Sequence, residues 1–151
     1  MTAILRPALA FLAATCVTAA LASVAQTQLN LAALSALGAP LTPALRALTT
    51  AEDLVRFGPV MAAIAAAALL PAFAAAWVVA KFAPGARLII CAAAGVAGLW
   101  VAFAVMGYFT PMPTLVAAAR GAVGLALICA AGAAGGLIFA RLSRAPSAVS
   151  G

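Results

Sequence analysis

Residues 59–80 read PVMAAIAAAALLPAFAAAWVVA, a run without one charged side chain. As an α-helix, about 20 such residues cross a hydrocarbon core of about 30 Å. Three other stretches meet the same requirement: Pro7–Ala25, Leu88–Tyr108 and Gly121–Ala140. The expected fold is therefore an all-α membrane protein, with four transmembrane helices in a compact bundle and a helical outer loop between spans 1 and 2. A single domain should cover residues 1–144, followed by a flexible tail over 145–151. The wider stretch from Ser143 onward is small and polar.

Composition agrees. Hydrophobic residues make up 68% of the 151 positions and charged ones 7%, where a soluble domain carries about a quarter charged. Such a chain has no surface suited to water, but lipid can cover it. The excess of eight Lys and Arg over two Asp and Glu does not point to nucleic acid, because the cations lie at segment ends and not in an aromatic-interleaved run. Four crossings put Arg6, Lys81, Arg87, Arg141 and Arg144 on one side. Arg46, Arg56 and Arg120 fall on the other, together with Glu52 and Asp53. The positive-inside rule then places both termini in the cytoplasm of a bacterial inner membrane, with the loop Gln26–Gly58 outside. Arg6, the apolar run and Ser23-Val24-Ala25-Gln26 also resemble a signal peptide with a small-residue cleavage site. The length of the run and its helical continuation toward Leu37 favour retention as a span.

Outside the membrane the first helix should continue through Gln26, Thr27, Gln28 and Asn30, with Leu31, Leu34 and Leu37 at near-helical spacing. Gly38-Ala39-Pro40 should stop it, glycine as the cap and proline just beyond. A short juxtamembrane helix is expected to begin at Thr49 or Thr50, each three residues ahead of an acid in capping-box spacing. On that helix Arg56 can pair with Glu52 or Asp53. Pro71 should kink span 2. Trp77 beside Lys81, and Tyr108-Phe109, read as interfacial anchors. Pro111-Met112-Pro113 should form a turn, with Thr114 capping span 4.

The chemistry on offer is sparse. There is no His, and Cys16, Cys91 and Cys129 lie in three different spans, so neither a zinc set nor a redox pair assembles. The cysteines read as small packing groups. The only carboxylates adjoin each other, whereas acid–base catalysis wants opposed, separately tuned groups; no enzyme and no cofactor are expected. Small proton-coupled exporters have a similar size and span number, but they need a carboxylate within the membrane, and these spans have none.

Two constellations stand out. Gly124, Gly132 and Gly136 share nearly one face of span 4, while Gly95 and Gly98 lie in span 3; such faces serve packing within a bundle or a dimer seam. Gln26, Gln28, Glu52, Asp53, Arg56 and Arg120 gather on the outer side as a candidate ligand or ion-pair site. In it Arg120 is expected either to pair with an acid, Asp53 first, or to reach lipid phosphate. The functional expectation is a non-enzymatic accessory or structural subunit, or a small-ligand or lipid-binding module. Its partners would be membrane lipids and a larger membrane complex or further copies of itself. The alternative is a small oligomeric transporter or channel for an apolar solute.

Overall fold

The computed structural model describes residues 2–109 and 121–143, with side chains from residue 4 onward. The turn expected at Pro111–Thr114, Arg120 and the tail 145–151 lie outside the described residues. Among the described residues five α-helices follow in order: α1 (Thr2–Ala36), α2 (Pro43–Arg56), α3 (Gly58–Phe82), α4 (Arg87–Phe109) and α5 (Ala122–Leu142). A one-turn 3-10 segment, Pro84–Ala86, joins α3 to α4. α1, α3, α4 and α5 are each long and apolar enough to cross a membrane. They pack against one another as an all-α four-helix bundle. α1 contacts α5 and α3, and α4 contacts the same two, which closes a ring. The protein is a multi-pass membrane protein.

α1 is one helix of 35 residues. At 1.5 Å per residue it extends about 52 Å, well beyond a hydrocarbon thickness of about 30 Å. Counting about 20 residues from Arg6 reaches Gln26, so the last turns of α1 stand clear of the hydrocarbon. Gly38 ends the helix with φ of +86°. Its N–H donates to the Ser35 carbonyl at 3.0 Å, and that of Ala39 to Leu34 at 3.2 Å. These are the two bonds of a Schellman ending, at the glycine where the sequence predicts a stop. The chain then turns back as α2, so α1 and α2 form a hairpin that projects from one end of the bundle. Both ends of the described chain lie at the other end, called here the terminal end.

The start of α2 corrects the sequence expectation. It begins at Pro43, with the Thr42 hydroxyl accepting from the Leu45 N–H at 3.2 Å. Threonine at the cap and proline at the first helical position, where its missing N–H costs nothing, outweigh the acid-based boxes at Thr49 and Thr50. Thr50 lies mid-helix and donates back to the Arg46 carbonyl at 2.7 Å. α2 passes into α3 through Phe57, which keeps helical torsions. α3 continues as a helix across Pro71.

Between α4 and α5 the backbones nearly touch. A Cβ placed on Gly132 would collide with the Gly95 carbonyl, and one on Gly136 with the Cys91 carbonyl. The glycine face read from the sequence is thus occupied by α4 of the same chain, and Gly124 is buried as well. Toward the terminal end, Phe73 of α3 stacks on Phe139 of α5 with centroids 4.6 Å apart, and Phe11 of α1 meets Phe73 edge-on at 6.4 Å. Three helices are tied at one level by that aromatic trio. The cysteines are all free; Cys91 and Cys129 are buried, but Cys16 faces outward, so only two of the three serve as core packing groups.

The glycine contact predicts a position-specific cost. Gly132→Leu should lower the melting temperature in detergent by the equivalent of at least about 1–3 kcal/mol, the usual range for overpacking. Ala130→Leu, on the exposed face of the same helix, should change it little. Equal effects at the two positions would mean that the α4–α5 approach is not what holds the bundle.

A polar clasp as candidate functional site

Polar side chains buried in this bundle are few, and their positions follow from the helical period. Among the described residues the buried polar ones are Thr15, Thr18, Ser23 and Thr27, all on α1. Thr18 and Thr27 are nine positions apart, which at 3.6 residues per turn puts them on opposite sides of the helix. Thr18 turns toward α5, its hydroxyl 3.4 Å from the Ala131 carbonyl. Thr27 turns toward α2. Thr18 and Thr27 therefore serve two separate interfaces.

At the hairpin end two cross-links join α1 to α2. The Thr27 hydroxyl lies 2.8 Å from Asp53 Oδ2 and 3.0 Å from the Ser23 carbonyl. One proton faces two acceptors, and the carboxylate is the stronger because it carries charge. One turn away, Gln28 Nε2 donates to Thr50 Oγ1 at 2.9 Å. Thr50 passes its own proton to the Arg46 carbonyl, so the amide, the hydroxyl and the carbonyl form a relay of donors and acceptors. Ser23 Oγ and Gln26 Oε1 are buried beside these links without a hydrogen-bond partner among the described residues.

The expected site residues divide accordingly. Gln28 and Asp53 enter the clasp directly, and Gln26 lies half-buried next to it. Glu52 and Arg56 are exposed on α2. Asp53 projects toward α1, where Thr27 donates to it. Arg120 lies outside the described residues, and so does its expected pairing. Thr27 and Thr50 do more than the sequence reading gave them. The sequence places Thr27 only in the continuation of the first helix and Thr50 only at a helix start. Thr50 and Asp53 lie three apart and occupy one face of α2, but which residues of α1 they meet depends on how the two helices are aligned.

A second cluster lies at the terminal end. Arg6 Nε donates to the Leu142 carbonyl at 3.0 Å, and Arg87 donates to Ser143 Oγ at 2.7 Å. Ser143 in turn bonds the Phe139 carbonyl. The last carbonyls of α5 have no intrahelical donors, and cations complement that end of the helix dipole. These arginines, read from the sequence as topology signals, also cap α5, and Ser143 belongs to the fold and not to the tail.

No family model, no curated protein and no solved structure is significantly similar to this chain. Its class rests on its own geometry: an integral membrane four-helix bundle with a polar-clasped helical hairpin at one end.

The clasp is open to a double-mutant cycle. Thr27→Val and Asp53→Ala should each destabilise the protein in detergent by about 1.5–3 kcal/mol, as for a hydrogen bond to a charged group. The double variant should lose about 1 kcal/mol less than the sum. Strict additivity would show that the two side chains do not interact.

Proposed function

We propose that this protein is a non-enzymatic accessory subunit of the bacterial inner membrane that docks a partner through its α1–α2 hairpin. The partner is a larger membrane complex or a further copy of the chain. One observation carries the reading. The hairpin turns one set of polar residues inward and leaves four leucines near its turn outward, beside the exposed Glu52 and Arg56 on α2. Arg46, Thr50 and Asp53 face α1 and are half-buried, whereas Leu34, Leu37, Leu45 and Leu48 are 48%, 85%, 42% and 58% exposed. These four flank the turn at the far end of a hairpin that reaches past the hydrocarbon, so lipid tails do not cover them. Apolar clusters left in such a place mark interaction surfaces. Asp53, Gln28, Thr27 and Thr50 are engaged between α1 and α2, which supports a scaffolding role for them.

If this holds, the protein in mild detergent should migrate as a particle heavier than one chain with its detergent. Leu37→Ser, Leu45→Ser and Leu48→Ser combined should return it to single-chain mass. A photo-crosslinker at Leu48 should reach protein, while one at the lipid-facing Val78 should not. A single-chain wild type with crosslinks only to lipid would end the proposal.

The orientation rests on charge. The terminal end holds Arg6, Lys81, Arg87 and Arg141, while both carboxylates lie in the hairpin. On the positive-inside rule the terminal end is cytoplasmic. A reporter fused after Gly151 should be active only as a cytoplasmic enzyme, and one inserted at Ala39 only as a periplasmic one. The reverse pattern would invert the topology.

A further inference from the structure

An apolar cleft of about 410 Å³ opens on the bundle surface between α1 and α3 near the terminal end. Ile4, Pro7 and Phe11 line it from α1, and Leu70, Phe73 and Trp77 from α3. Both sets follow helical spacing, so each helix contributes one face. Ala8 and Ala74 make the depression, since neither fills the space between the larger neighbours. Its floor is firm, because Phe73 is 2% exposed and stacked on Phe139. From Trp77 to Leu70 the cleft runs about 10 Å along the helix. That is about two thirds of the leaflet depth, taken as half of about 30 Å.

A cation marks the mouth. Lys81 Nζ lies 3.8 Å from the centroid of the Trp77 ring, in cation–π contact with a wall of the cleft. The sequence holds only two acidic side chains, Glu52 and Asp53, and both belong to the hairpin at the opposite end of the bundle. No side-chain carboxylate therefore neutralises this ammonium. An apolar slot of acyl-chain shape that ends at such a cation, at the level of the headgroups, complements one class of molecule.

We infer that the α1–α3 cleft is a binding site for an anionic phospholipid. One acyl chain lies between Phe11 and Leu70, and the headgroup meets Lys81. The site lies at the far end of the bundle from the hairpin and does not depend on the docking role proposed for it.

The test is native mass spectrometry of the full chain in mild detergent, with phosphatidylglycerol and phosphatidylcholine of identical acyl chains supplied in equal amounts. The wild type should retain phosphatidylglycerol about fivefold over phosphatidylcholine, the factor equivalent to about 1 kcal/mol for one lysine beside anionic lipid. Lys81→Gln should bring the two adducts to parity without lowering the melting temperature. Arg141→Gln, which removes an exposed cation away from the cleft, should leave the preference in place. Ala74→Phe, which fills the cleft, should reduce both adducts; if that variant does not fold, Ala8→Leu fills the same space from α1. No preference in the wild type would overturn the inference. So would a preference that survives Lys81→Gln, or one that Arg141→Gln abolishes equally.

Discussion

Helices that are apolar all round gain little hydrophobic free energy by leaving lipid for one another, since lipid tails are as apolar as leucine. What remains is contact, and dispersion falls away steeply with any gap. The α4–α5 seam meets that constraint with glycines: the Gly95 and Cys91 carbonyls sit where side chains at Gly132 and Gly136 would have been. The rest of the bundle is arranged around this approach. α1 closes on α5 opposite Gly135, where the Thr18 hydroxyl fills the space of the missing side chain. α3 closes on α4 at Gly98, against Ala68 and Ala72. Small residues set how close the helices come, and the aromatic trio sets the level at which three of them lock.

The hairpin obeys a different solvent. Past the hydrocarbon, α1 and α2 can use hydrogen bonds, and they do so with Thr27, Gln28, Thr50 and Asp53 between the helices while four leucines near the turn stay outside. In water alone this arrangement is unfavourable, because the apolar side is left hydrated. The Thr27–Asp53 and Gln28–Thr50 links nonetheless fix the two helices to each other. They specify alignment as well as adding stability, the neutral Gln28–Thr50 bond about 1 kcal/mol net and the bond to the Asp53 carboxylate more. A hairpin held in register by polar contacts presents its leucines in a fixed pattern, which an interaction surface needs and an isolated domain does not.

How much of this was legible follows from the range of each signal. The spans were legible because length and apolarity are summed along the chain: α3 and α4 coincide with Pro59–Ala80 and Leu88–Tyr108 to within one or two residues. The stop at Gly38 was legible because a Schellman ending is local. The start of α2 was misread because two local signals competed. The acids at Glu52 and Asp53 drew attention from Thr42-Pro43, which has the better cap. The clasp was only half legible. Gln28 and Asp53 were singled out, but their partners Thr27 and Thr50 depend on the register between two antiparallel helices, and no spacing within one helix encodes that. The same limit applies to Arg6 and Leu142, which meet across 136 positions of sequence.

The two ends of the bundle also solve the problem of charge near lipid in opposite ways. At the hairpin end Asp53, half-buried, is matched by a neutral hydroxyl from another helix. At the terminal end Arg6 and Arg87 are matched by the open end of α5, through its last carbonyl groups and Ser143. A guanidinium with five donors suits that task, because it can satisfy a helix terminus and still face the headgroups. Lys81 differs from both. Its partner in the protein is an aromatic face, which attracts a cation but supplies no opposite charge to neutralise it. Among Arg6, Arg87 and Lys81, the two arginines bond to the end of α5 while the lysine keeps its charge at the surface. The division follows from the chemistry of the side chains. A planar fork is suited to carbonyls in fixed positions, and a compact ammonium on a flexible stem to an anion that arrives and leaves.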